Sequence, residues 1–155
     1  MKPITPCLWF DHEGEEAAKF YVSVIKGSRI TQVTHYGENM PRPKGSVMTV
    51  SFALNGQPFL ALNGGPDFKH SPAISLMVHG ETQREIDEYW EKLSAGGEKG
   101  VCGWLTDKFG VSWQVVPTIL ERLVSDKDPQ RTQRVMGALM QMKKLDIAGL
   151  ERAAA

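Results

Sequence analysis

The sequence predicts an α+β domain made of two βαβββ modules, at about residues 4–63 and 73–117, with an added C-terminal helix at about 129–148. Three observations carry this. The order strand, helix, strand, hairpin runs along the chain twice. An aromatic pair stands in each module's helix, Phe20-Tyr21 in the first and Tyr89-Trp90 in the second. A glycine turn closes each hairpin, at Gly56 and at Gly110. The 155 residues are expected to form a single domain.

The elements follow in order. Ile4–Phe10 is apolar and bounded by prolines, which predicts a strand. Glu15–Ile25 places Ala17, Phe20 and Val24 on one helical stripe, and Lys26-Gly27 stops it. Arg29–Tyr36 alternates as a strand, and Pro41 and Pro43 make Gly37–Gly45 a loop. Val47–Leu54 and Pro58–Leu62 flank Asn55-Gly56, a strong hairpin signal. Asn63–Pro72 is a Gly/Pro loop, and Ala73–Val78 is the next strand. Thr82 and Glu85 form a capping box ahead of Ile86, Tyr89, Trp90 and Leu93, which share one helix face until Gly96-Gly97. Val101–Leu105 and Val111–Val116 flank the turn Thr106–Gly110, and Pro117 ends the strand. Asp128-Pro129 opens the last helix, whose apolar face is broad: Val135, Met136, Leu139, Met140, Met142, Leu145 and Ile147.

Composition excludes several classes. Eighteen Lys and Arg balance eighteen Asp and Glu, and the basic residues are scattered, so no nucleic-acid partner is expected. No apolar run reaches the length of a membrane span, and Met1–Pro6 lacks the apolar core of a secretory signal. Cys7 and Cys102 are isolated, so a disulfide framework is not expected and a cytoplasmic setting is. The broad apolar face of the last helix predicts a homodimer.

The run Pro6-Cys7-Leu8-Trp9-Phe10-Asp11 followed by Glu15–Tyr21 resembles the opening of the PhnB-like family. The resemblance continues through Asn55–Phe59, Ala61–Gly65, Tyr89–Leu93, Cys102–Leu105, Asp107–Gly110 and Trp113–Pro117. That family belongs to the vicinal-oxygen-chelate superfamily of glyoxalases, bleomycin-resistance proteins and dioxygenases, and its members often carry the label 3-demethylubiquinone 3-methyltransferase. The resemblance implies the glyoxalase-like form of the paired βαβββ fold. It also implies where superfamily enzymes place metal ligands: here Pro6, Leu60, Gln114 and a position within Ala73–Ser75. Pro and Leu carry no donor, so no divalent metal and no other cofactor is expected.

His12, His35, His70 and His79 show no ligand spacing. The glycines include no G-x-G turn of the kind that cradles S-adenosylmethionine, and Cys102 has no histidine nearby in sequence. The favoured function is therefore binding of a small, partly aromatic or amphipathic molecule in a sheet cavity. The competitor is an enzyme, either the methyltransferase of the family label or a metal-independent lyase or isomerase. The expected ligand-binding residues are Gln114, Asn63, Trp9, Asp11, Asp67 and His70. Gln114 is expected to face a pocket, with the loop from Asn63 to His70 at its rim. Cys7 and Trp9 share one face of the first strand and Leu8 and Phe10 the other, and the sequence leaves open which face lines the cavity.

Overall fold

The computed structural model describes residues 1–155, which pack as two compact units, Met1–His70 and Ser71–Ala155. The N-terminal unit contains β1 (Cys7–Phe10), α1 (Gly14–Val24), β2 (Arg29–His35), β3 (Val47–Leu54) and β4 (Gln57–Asn63). Its sheet has the order β1-β4-β3-β2, with β1 parallel to β4 and the other pairs antiparallel. The Asn55-Gly56 turn joins β3 to β4, and both turn residues have positive φ, as this tight hairpin requires.

The C-terminal unit repeats the plan with β5 (Ser75–Gly80), α2 (Gln83–Ser94), β6 (Glu98–Lys99), β7 (Trp104–Thr106) and β8 (Ser112–Pro117). The sheet order is β5-β8-β7-β6, with β5 parallel to β8. The sequence reading found no counterpart of β6, because two residues carry no periodicity. It also began the next strand too early. Residues 101–103 form a turn in which Cys102 has φ 57° and Gly103 φ 82°, so β7 starts at Trp104.

Each sheet has one face under its helix. In the N-terminal unit, Leu8 and Phe10 of β1, Val50 and Phe52 of β3, and Phe59 and Ala61 of β4 stand on the buried face. Tyr21 of α1 meets Phe52 there, with ring centroids 6.3 Å apart. In the C-terminal unit, Leu105, Trp113 and Val115 lie on the buried face. A Cβ on Gly80 would come within 2.9 Å of Ile86 Cδ1, which locates α2 on the same side. The capping box of α2 forms as read, with Thr82 accepting from Glu85 N and Glu85 from Thr82 N.

The end of the chain departs from the single helix expected at about 129–148. α3 (Leu120–Val124), α4 (Pro129–Leu139) and α5 (Ile147–Ala154) form instead. The carbonyls of Met142 and Lys143 accept from the amides of Cys102 and Gly103, at 2.8 and 2.7 Å, which holds the segment between α4 and α5 against the turn at residues 101–103. Asp146 then caps α5 by accepting from Gly149 N. Leu123, Val135 and Leu150 bury one another, with Leu139 packed against them. The apolar face that suggested a dimer is thus largely covered within the chain, leaving Met136 and Met140 exposed.

Gln83 and Asp87 of α2 tie this tail down. Gln83 donates to Leu145 O and accepts from Ile147 N, and Lys144 Nζ lies 2.8 Å from Asp87 Oδ1. The hydrogen bond from Lys144, then that from Gln83, holds the Asp87 carboxyl below its ordinary pKa. A depressed carboxyl contributes stability above its unfolded pKa of about 4, and the contribution disappears as pH falls through the lower folded value. Both partners are partly exposed, so the expected size is a few tenths of a kcal/mol. Asp87→Asn should melt slightly earlier than wild type at pH 6 and together with it at pH 2, measured by circular dichroism.

Candidate functional site

The face of each sheet opposite its helix is the surface to which the sequence reading pointed. Strand alternation and register determine which residues stand on it. In the C-terminal unit Gln114 pairs with Met77 on β5 and with Trp104 on β7, so these three form one row across the helix-free face. Ser75, Ser112 and Thr106 form the neighbouring row. Met77 is 52 % exposed, and Gln114 and Trp104 are half-buried. The same face carries His79 of β5, in register with Val116, and at its edge Glu98 of β6, in register with Thr106.

Gln114 Nε2 lies 2.9 Å from Ser75 Oγ. This bond joins Gln114 to a residue of the Ala73–Ser75 stretch, within which the resemblance implies a ligand position. The remainder of the amide is left for another partner. A hollow of about 150 Å³ lies beside this face, lined by Glu98, Lys99, Gly100, Trp104, Thr106 and Ser112 among others; Gln114, expected to face a pocket, does not line it. Trp113 points the other way, into the core, and its indole N–H donates to Asp107.

In the N-terminal unit the corresponding face carries Cys7 and Trp9 of β1, Leu60 and Leu62 of β4, and Thr49 and Ser51 of β3. This answers the question left open for the first strand: Leu8 and Phe10 go to the helix side. The Trp9 indole donates to Gly65 O at 2.8 Å and meets Phe68 edge to face at 4.9 Å. Gly64 lies flat on the indole, where a Cβ would come within 2.3 Å of the ring, so only glycine fits. Phe68 is exposed, and Asp67 beside it is exposed as well. His70 tilts against Phe10, with centroids 5.2 Å apart, and its buried Nε2 has no hydrogen-bond partner.

Asn63 stands on the helix side of the sheet, in register with Phe10, and is 5 % exposed. Its Oδ1 accepts from Gly14 N at 2.7 Å and its Nδ2 donates to Val47 O at 3.1 Å. Its backbone carbonyl accepts from Tyr36 OH. The N-cap residue of α1, Glu13, makes no side-chain capping bond, and the Asn63 Oδ1 supplies the acceptor for the first amide of the helix instead. Asn63 is thus a packing and capping residue that joins the end of β4 to the start of α1. Asp11, just past β1, makes a long contact of 3.5 Å with Arg42 and another of 3.5 Å with His12. Arg42 was not singled out in the sequence because it lies in a proline loop with no periodic pattern. Asp107 carried no such pattern either.

Leu60 carries no donor, and the Ser75 hydroxyl and Gln114 amide are neutral groups bonded to each other. No cluster of three or more His, Cys, Asp or Glu side chains forms. His12, His35 and His79 are exposed and scattered over three elements or loops.

The model of the family described as 3-demethylubiquinone-9 3-methyltransferase matches residues 2–116. The PhnB protein of Bacillus cereus, whose description gives that methyltransferase activity provisionally, is 37 % identical, with TM-score 0.70; the match covers 76 % of this chain and all of that one. PA1353 of Pseudomonas aeruginosa is 21 % identical with TM-score 0.63, over 76 % of this chain and 98 % of its own. The fosfomycin resistance protein FosX of Listeria monocytogenes, in complex with Mn(II) and sulfate, is 17 % identical with TM-score 0.53, over 79 % and 97 %. The last two likenesses bear on the fold alone. No curated protein matches the chain.

Proposed function

The chain belongs to the family described as 3-demethylubiquinone-9 3-methyltransferase, within the vicinal-oxygen-chelate superfamily, and from that premise we propose that it binds a small, uncharged amphipathic molecule on a helix-free sheet face. The observation that carries this reading is the row Met77, Gln114 and Trp104. It sets a polarisable wall and an aromatic wall on either side of one half-buried amide. The adjoining row offers the hydroxyls of Ser75, Ser112 and Thr106 and ends at Glu98, and the hollow beside Trp104 admits an apolar substituent. Met77, Gln114 and Trp104 carry no charge, so an ionic group placed on the row itself would lose hydration without a counter-charge within it. Trp9 offers a second aromatic surface on the N-terminal sheet, with the Gly64–Phe68 loop beside it.

Binding in this reading needs no metal, since Pro6 and Leu60 occupy superfamily ligand positions. The purified protein is expected to contain well under one equivalent of zinc, manganese, nickel or iron by elemental analysis. Both cysteines are free, in keeping with a reducing, cytoplasmic setting. Partial desolvation pushes the Cys7 thiol above its ordinary pKa, so it stays protonated at neutral pH and is a poor nucleophile.

The test is a fluorescence titration of the full chain with a library of neutral bicyclic phenols and amides. Saturable quenching of tryptophan is expected. Gln114→Leu should weaken it by roughly tenfold, the equivalent of losing one hydrogen bond of about 1–1.5 kcal/mol, with the melting temperature nearly unchanged. Unchanged affinity in Gln114→Leu would remove Gln114 from the site. Transfer of a methyl group from S-adenosylmethionine to a quinol would replace the binding reading by the methyltransferase one.

A further inference from the structure

A second cleft, of about 340 Å³, lies in the N-terminal unit where β3 begins and β4 ends, lined by His12, Glu15, Arg42, Pro43, Ser46 and Val47, with Asn63. We infer that this cleft binds a small molecule through an anionic group, a carboxylate or a phosphate, received by Arg42. The Arg42 side chain is only 26 % exposed, and its guanidinium has one protein partner, Asp11 Oδ1, at 3.5 Å. Charge-assisted bonds from guanidinium normally close to about 2.7–2.9 Å, and the group has five N–H donors. The side chain is thus partly buried, its unpaired nitrogens keep contact with solvent, and most of its donors have no protein partner. Such a group gains most from an arriving oxyanion that accepts two bonds at once.

The surroundings favour one small anion. Glu15 also lines the cleft, but Lys19 Nζ sits 2.8 Å from its carboxylate and balances its charge. Asp11 is 40 % exposed on its side chain, so it can yield Arg42 to a ligand and turn toward solvent or toward His12. Pro43 and Val47 form apolar walls, and the volume suits a metabolite rather than a polymer. Pro41 and Pro43 flank Arg42 and restrict its backbone, which lowers the entropy lost when the guanidinium is engaged. The sequence reading reached Asp11 as a ligand residue; here Asp11 becomes the internal competitor of the ligand, and Arg42 the receptor.

The experiment uses the full chain labelled with ¹⁵N and titrated separately with sodium succinate and inorganic phosphate at constant ionic strength. The expected result is saturable shifts of the Arg42 Nε–H and of the Ser46 and Val47 amides. Arg42→Gln should weaken the binding at least about tenfold. Asp11→Asn, which removes the competitor, should strengthen it severalfold. Preference for succinate assigns a carboxylate ligand, preference for phosphate assigns a phosphate, and equal response assigns recognition of charge; all three support the inference. It is overturned if neither probe saturates in wild type, if Arg42→Gln binds as wild type while keeping its native spectrum, or if Asp11→Asn weakens binding. The outcome is independent of the Gln114 titration, which probes the other unit.

Discussion

Replacing Asp107 with Ala is expected to destabilise the C-terminal unit by about 3–5 kcal/mol, the largest effect of any single polar substitution proposed for this chain. Asp107 is 2 % exposed. Its Oδ1 accepts from the amides of Phe109 and Val111, at 2.8 and 3.0 Å, and its Oδ2 from the indole of Trp113 at 2.8 Å. The carboxylate thereby shapes the turn between β7 and β8 and anchors the tryptophan that forms the core behind Gln114. Alanine would leave buried donors without an acceptor, each costing about 1–3 kcal/mol, with partial relief by water. Asp107→Asn keeps one acceptor oxygen but turns an NH₂ toward another donor, so an intermediate loss is expected. Urea unfolding monitored by tryptophan emission reads both. A loss below about 1 kcal/mol in Asp107→Ala would show that the turn holds itself.

Asn63→Ala is expected to cost about 2–3 kcal/mol, because Gly14 N and Val47 O would lose their buried partner. This distinguishes two roles for the same residue. A rim residue that meets ligand would, on truncation, lower affinity and leave the melting curve alone. A residue that caps α1 from the end of β4 would lower the melting temperature and leave binding at Gln114 unchanged. The hydrogen bonds predict the second pattern, and calorimetry of the variant beside its ligand titration decides between them.

Much of the fold was legible because its signals are local. The Asn55-Gly56 turn, the Thr82–Glu85 capping box and the Asp128-Pro129 start each depend on a few adjacent residues, and each forms as read. What the sequence concealed depends on distant partners. The segment that follows α4 is held by amides at Cys102 and Gly103, some forty positions earlier in the chain. Asn63 read as a loop residue, because the helix amide it serves lies 49 positions away. Asp107 sat in plain view within Asp-Lys-Phe-Gly, a turn signal in its own right, but its bond to Trp113 is a matter of geometry. Alternation placed Gln114 and Trp113 on opposite faces, and the register adds which face the helix takes.

The central claim, that a small neutral molecule binds on the helix-free face at Gln114, is tested most directly by locating a bound ligand. A crystal soaked with the tightest bicyclic phenol from the fluorescence titration should show density against Trp104 and Met77, with a polar atom within hydrogen-bond distance of the Gln114 amide. Density only elsewhere on the chain, or none at saturating concentration with that face free of lattice contacts, would contradict it.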